Sequence, residues 1–154
     1  MPDVIVRDAR EEDLPALLAL YHQLSSRDPA TVSERHRAAW AALARQDITR
    51  ILVAEVGVAE GGGEVVGTLA LSLIPNLSRD ARPYALIENV VTCEERRGQG
   101  IGRRLLEEAE RRARDREAYK LMLMSGNVRG EAPAFYRRCG FSGETKTAFE
   151  KRLA

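Results

Sequence analysis

At 154 residues, 44% of them apolar and 31% charged, the chain has the size and balance of one globular domain with a proper core. Its 24 Lys and Arg against 23 Asp and Glu leave a net charge of +1, which makes no case for a nucleic-acid or membrane partner. Two cysteines and two histidines, all far apart, supply neither a disulfide framework nor a metal-ligand cluster.

The opening segment, MPDVIVRDAREED, places acids where a signal peptide needs an apolar core, and no apolar run approaches the roughly 20 residues that cross a bilayer. A reducing cytoplasm is therefore the expected compartment. Val4 to Val6 predict a short strand. Leu14, Leu17, Leu18, Tyr21 and Leu24 then recur at helical spacing, with Pro15 tolerable only in the first turn. Thr31 and Glu34 have the spacing of a capping box, so a second helix is expected to begin near Thr31, with His36, Trp40 and Leu43 on one face. Ile51 to Val56 reads as a buried strand, Gly61 to Gly63 as a loop tip, and Val65 to Ile74 as the second arm of a hairpin. Pro75 ends that arm, and a polar loop runs through Pro83.

Beyond it, Tyr84 to Thr92 predicts a strand and Gly98 to Gly102 a turn. Ile101, Leu105, Leu106, Ala109 and Ala113 mark the buried side of a long helix. Glu107, Glu108 and Glu110 each precede an Arg by four residues, so the Arg-rich stretch from Arg96 to Arg116 reads as a solvated helix face laced with ion pairs. Leu121 to Met124 is short and apolar enough to be expected in the core, and a short helix is expected near Glu131. Strand, turn, helix and strand in succession argue for a parallel pair with a right-handed crossover. The expected fold class is α/β: one domain, residues 1–154, with a mixed sheet and helices on both faces.

The chemistry concentrates in RRGQGIGRRLL, Arg96 to Leu106. Gly98, Gly100 and Gly102 each remove a Cβ, so the backbone can turn tightly and its N–H groups can converge on one spot. The following helix adds its unpaired amides and the positive end of its dipole, giving a pyrophosphate cradle. A loop using glycine only for packing would look the same in isolation. Two familiar phosphate loops do not fit: Arg103 and Arg104 stand where a P-loop needs Lys then Ser or Thr, and the glycine spacing is not GxGxxG.

Arg97-Gly98-Gln99-Gly100-Ile101-Gly102 resembles the R-x-x-G-x-G acetyl-CoA signature of the GCN5-related N-acetyltransferases. The similarity extends through Ile87-Glu88-Asn89-Val90-Val91, through Phe135-Tyr136-Arg137-Arg138-Cys139-Gly140-Phe141, and into the opening VIVRDAREEDLPALLALYHQL. This resemblance implies the acyl-CoA N-acyltransferase fold and transfer of an acetyl group from acetyl-CoA to an amine, with no metal. It implies pantetheine contacts at Val90, Val91 and Thr92, and pyrophosphate contacts at Arg97, Gly98, Gln99, Gly100, Ile101, Gly102 and Arg103. It further implies that the strand containing Leu121 splays from the Tyr84 strand to admit the cofactor. Ile87 to Val91, Tyr119-Lys120 and Phe135 to Phe141 are locally similar to the glucosamine-phosphate N-acetyltransferases. Met124 to Pro133 departs from them, and Arg129 stands where many relatives place an Asn seven residues before the Tyr. The expected partners are acetyl-CoA and an amine acceptor (amino sugar, polyamine, antibiotic or protein), with a homodimer left open.

Glu88 interrupts an apolar run, where a carboxylate is costly unless paired. Partial burial there would suit it to take a proton from an ammonium, directly or through water, or else it is a structural acceptor. The resemblance assigns Tyr136 to protonating the leaving thiolate; core packing is its alternative. Cys93 and Cys139 read as small hydrophobes, with no nearby base to make Cys139 a nucleophile. Trp40 reads as core packing or as lining of an acceptor pocket, and Arg129 and Arg137 as exposed or as anion holders. A non-catalytic acyl-CoA sensor or partner-binding module is the rival function on the same fold.

Overall fold

The computed structural model describes residues 3–126 and 130–154. Among these lies a five-stranded sheet in the order β1 (Val4–Asp8), β2 (Thr49–Val56), β3 (Glu64–Ile74), β4 (Tyr84–Thr92) and β5 (Leu121–Leu123). The first four pair antiparallel. Tyr119 N–H donates to the Pro83 carbonyl at 3.0 Å and Ala85 N–H to the Lys120 carbonyl at 2.9 Å, so the chain advances the same way along both segments, as in a parallel pair. The sheet is therefore mixed.

Helices α1 (Leu14–Leu24) and α2 (Glu34–Ala44) follow β1, a single turn α3 (Ser78–Ala81) joins β3 to β4, and α4 (Ile101–Asp115) joins β4 to β5. Turn α3 is left-handed, with φ of 56°, 59° and 58° at Arg79, Asp80 and Ala81. The chain divides into two compact units, Met1–Met122 and Leu123–Ala154, and α5 (Ala132–Arg138) belongs to the second.

Strand alternation distributes the helices over the sheet. Val53 packs with Leu14 and Leu17 of α1. Its neighbour Ala54 points the other way, as does its partner Gly67, which meets Ile101 and Leu105 of α4. Helices α1 and α4 thus cover opposite faces. Ile101, Leu105, Leu106, Ala109 and Ala113 are all buried, so the expected stripe is the one that docks, at roughly 2 kcal/mol for each large side chain removed from water. The outer face of α4 carries the ion pairs Glu108–Arg112 and Glu110–Arg114, with Arg111 bonded to Glu108 and Asp115.

Two local expectations shift. Helix α2 is capped at Ser33, not Thr31: the Ser33 hydroxyl accepts from His36 N–H, while the His36 ring accepts from Ser33 N–H at 3.0 Å. The imidazole completes the reciprocal pair that Glu was expected to form. His36, Trp40 and Leu43 are the half-buried positions of this helix, and Trp40 packs against the Leu14–Leu17–Val53 cluster. Strand β5 is only half-buried rather than a core strand; among the described residues it ends the sheet, with β4 as its one neighbour in the strand order.

A polar knot fixes the β1–α1 junction. Arg7 forks onto Asp13 at 2.7 and 3.1 Å and reaches Glu55 at 2.8 Å, while Arg10 N–H donates to the same Asp13 at 2.7 Å. Burial pushes the Asp13 carboxyl up, but its bonds to Arg7 and the Arg10 amide together outweigh it and hold the group below its ordinary value.

Candidate active site

The site begins with an irregularity in β4. Thr68 faces Val91 and Ala70 faces Glu88, so two steps along β3 correspond to three along β4. Asn89, with φ of 55°, carries the bulge; Asn tolerates this left-handed region better than most side chains. The extra residue reverses the alternation. Ala85 and Ile87 are buried on the α4 face, whereas Glu88 and Val91 both lie on the α1 face. Val91 is covered there and Glu88 is exposed. The expected partial burial of Glu88 is thus not found, and its claim to act as base rests on position rather than desolvation. Val90 and Thr92 are half-buried.

After Thr92 the backbone is tied down before it turns. Cys93 N–H donates to the Val66 carbonyl at 2.7 Å, Glu94 N–H to Gln23 Oε1 at 2.9 Å, and Arg96 pairs with Glu64 at 3.2 Å. A 3-10 turn, Glu94–Arg96, leads into Gly98 and Gly100, both left-handed with φ of 78° and 80°. A Cβ on Gly98 would meet open space, so backbone conformation rather than room requires that glycine. Gly100 is the N-cap of α4 and supplies no side-chain cap, and the first turn contains no acid. The leading amides of this 15-residue helix, at Ile101 and Gly102, therefore have no intrahelical acceptor and no carboxylate within their own turn. That suits a pyrophosphate.

Two cofactor candidates are qualified by this geometry. Gly102 is not part of the turn, because the helix starts at Ile101 and includes it. The Ile101 side chain is buried on the sheet, so it can offer a ligand only its N–H. Arg97 and Arg103 are exposed beside the turn, and Gln99 is half-buried within it.

In the second unit, Tyr136 lies on α5 between Phe135, at a ring separation of 5.3 Å, and Phe141, at 6.1 Å and edge-on. Burial, and to a lesser extent the neighbouring Cys139, pushes its phenol up from the ordinary value. Cys93 and Cys139 are free thiols. His22 bonds the Asp28 carbonyl and His36 completes the capping box that Ser33 begins on α2. Arg137 is exposed, and Arg129 lies outside the described residues. No group of three or more metal-ligating side chains is placed to hold an ion among the described residues. A cleft of about 300 Å³ lined by Ile48, Arg50, Leu71, Leu73 and Arg112 sits near the far end of α4 and contains none of the candidate residues.

Sequence reasoning missed three contributors. Asn89 had a signal, a turn-former inside an apolar run. Gly67 had one too, a glycine within a strand, which marks a close approach. Gln23 had none, since its partner is 71 residues away.

The chain matches the Acetyltransferase (GNAT) family over residues 15–141. It is 28% identical over 145 residues to a glucosamine 6-phosphate N-acetyltransferase of Trypanosoma brucei brucei, covering 90% of this chain and 89% of that one. A solved protein of Agrobacterium tumefaciens, provisionally assigned as an acetyltransferase, superposes with a TM-score of 0.86 at 41% identity, covering 97% of this chain and 99% of that one. A Bacillus halodurans structure described as a transcriptional regulator reaches a TM-score of 0.87 at 26% identity, over 97% and 100% of the two chains.

Proposed function

Since the chain belongs to the GNAT acetyltransferase family and is an acetyl-CoA-dependent N-acetyltransferase, we propose that residues 1–154 act as one catalytic domain whose cofactor segment, Arg97 to Arg103, comprises the glycine turn and the first residues of α4. One observation carries this assignment. After one 3-10 turn, two left-handed glycines lead a bulged strand into the uncapped N-terminus of a 15-residue helix.

In this reading the amides of Gly98 to Gly102, with Arg97, Gln99 and Arg103 alongside, receive the pyrophosphate, and the backbone of Val90, Val91 and Thr92 holds the pantetheine arm. Acetyl-CoA, when bound, supplies an acetyl group activated as a thioester. Glu88 accepts a proton from the acceptor ammonium, directly or through one water, leaving a nitrogen lone pair for the acetyl carbonyl. The Val90 N–H donates to the carbonyl oxygen as it gains charge, a contribution of about 3 kcal/mol for a preorganised donor. As the C–N bond forms and the C–S bond breaks, Tyr136 delivers its phenolic proton to the departing sulfur. Its raised pKa keeps that proton in place at neutral pH.

For the acceptor, the trypanosomal relative puts glucosamine 6-phosphate first among the amines to try. The near-neutral charge balance makes no case for a nucleic-acid or membrane partner, and a homodimer is the assembly to test by light scattering. The deciding experiment is thiol release from acetyl-CoA across a panel of amino sugars, polyamines, aminoglycosides and peptide amines. Amine-dependent release is expected. Tight acetyl-CoA binding without release for any amine would replace the enzyme with a sensor.

A further inference from the structure

We infer that Gln23, in the last turn of α1, is a positioning residue for acetyl-CoA, setting where the cofactor turn begins by accepting the Glu94 N–H. The inference rests on the assignment of that turn as the pyrophosphate site. Glu94 opens the 3-10 turn, so its amide is one of the donors a helix start leaves without an internal partner, and Cys93 provides no side-chain cap. Gln23 Oε1 fills that place from 71 residues away, at 2.9 Å. The other anchors described for the turn, Val66 for Cys93 and Glu64 for Arg96, both come from β3. Gln23 brings in α1, and so fixes the turn from a second direction.

Its base is itself held. Ser25 N–H bonds the Tyr21 carbonyl at 2.8 Å, and the His22 ring bonds the Asp28 carbonyl at 2.8 Å. Tyr21, two residues earlier, packs against the cluster of Leu14, Leu17 and Val53, and Val53 pairs with Thr68, which in turn pairs with Val91 on β4. The end of α1 is thus registered against the strand that leads into the turn.

The bond is exposed, so water replaces Gln23 if the acceptor is lost, and folding stability changes little. What is lost is order in the turn before binding, and the cost of restoring it falls on acetyl-CoA affinity. Gln23→Met keeps the length and removes the acceptor; Gln23→Glu keeps the acceptor. Acetyl-CoA dissociation constants, measured by calorimetry at about 0.5 M salt to screen the added charge, should rise roughly three- to ten-fold for Q23M and stay near wild type for Q23E. The KM for acetyl-CoA should rise with Q23M while kcat at saturation and melting temperature hold. Gly100→Val is the reference that abolishes binding if the turn is the site. Wild-type affinity in Q23M, or equal weakening in Q23E, with G100V inactive in binding, overturns the role of Gln23 alone. Wild-type affinity in G100V overturns the turn assignment and this inference with it.

Discussion

A β-carbon built on Gly67 would lie 3.0 Å from Cγ2 of Ile101, the first residue of α4. Leu105 Cδ1 at 3.1 Å and the Val91 carbonyl at 3.4 Å close the same space. The absence of one side chain in β3 therefore sets how deeply α4 seats on the sheet. Gly67→Val should cost roughly 1–3 kcal/mol as overpacking, read as a lower melting temperature. It should also weaken acetyl-CoA binding, because the amides of Ile101 and Gly102 are lifted with the helix. A stable variant with unchanged affinity would show that α4 can slide without disturbing the site.

For Glu88, the expected behaviour follows from its proposed task. Glu88→Gln keeps the shape and removes the base, so turnover with an alkylamine that is protonated at the assay pH should drop by about 10²-fold or more. Acetyl-CoA affinity should not change. An aromatic amine, already unprotonated at neutral pH, needs no prior deprotonation and should be slowed far less. Equal slowing of both amines makes Glu88 a substrate anchor.

Tyr136 can be tested through the leaving group. Tyr136→Phe deletes one hydroxyl from the Phe135–Tyr136–Phe141 cluster, so packing and acetyl-CoA binding should change little. Turnover should fall by about 10²-fold with acetyl-CoA and less with an acetyl thioester of a more acidic thiol, which leaves without protonation. Burial holds the phenol above its ordinary value, so loss of activity through its ionisation belongs only at pH above about 10. If both thioesters slow equally, Tyr136 positions substrate and water protonates the thiolate.

Acid should act on two carboxylates. Glu108 is drawn from 4.5 down to about 2, first by its bond to Arg111, against partial burial, and then by Arg112; Asp13 is likewise held low. Both shifts are downward, so their stabilisation is complete above the unfolded values and disappears as pH falls through the folded ones. Stability should therefore decline from about pH 4.5 towards about pH 2. Asp13→Asn should flatten that decline and lower stability at neutral pH by roughly 3 kcal/mol, since Arg7 loses its closest partner in a largely buried setting. Chemical denaturation at a series of pH values measures both effects. An unchanged pH slope in the Asn variant would remove Asp13 from the account.

Local pattern was enough for much of this protein. The strand limits Tyr84 to Thr92, the apolar stripe of α4, the Pro15 start of α1 and the glycine turn could be read directly, because period, ring chemistry and absent Cβ atoms act within a few residues. The blocks around Ile87, Gly98 and Tyr136 were also enough to give the family, later matched over residues 15–141. Which face each side chain takes was decided elsewhere. One extra residue at Asn89 reverses the alternation of β4 and leaves Glu88 exposed, and a bulge is defined only against its partner strand β3. The helix cap moved from Thr31 to Ser33 because an imidazole could complete the pair. The Gly67–Ile101 approach and the Gln23–Glu94 bond join segments far apart in sequence, so only the folded packing of α1, β3 and α4 could bring them into contact.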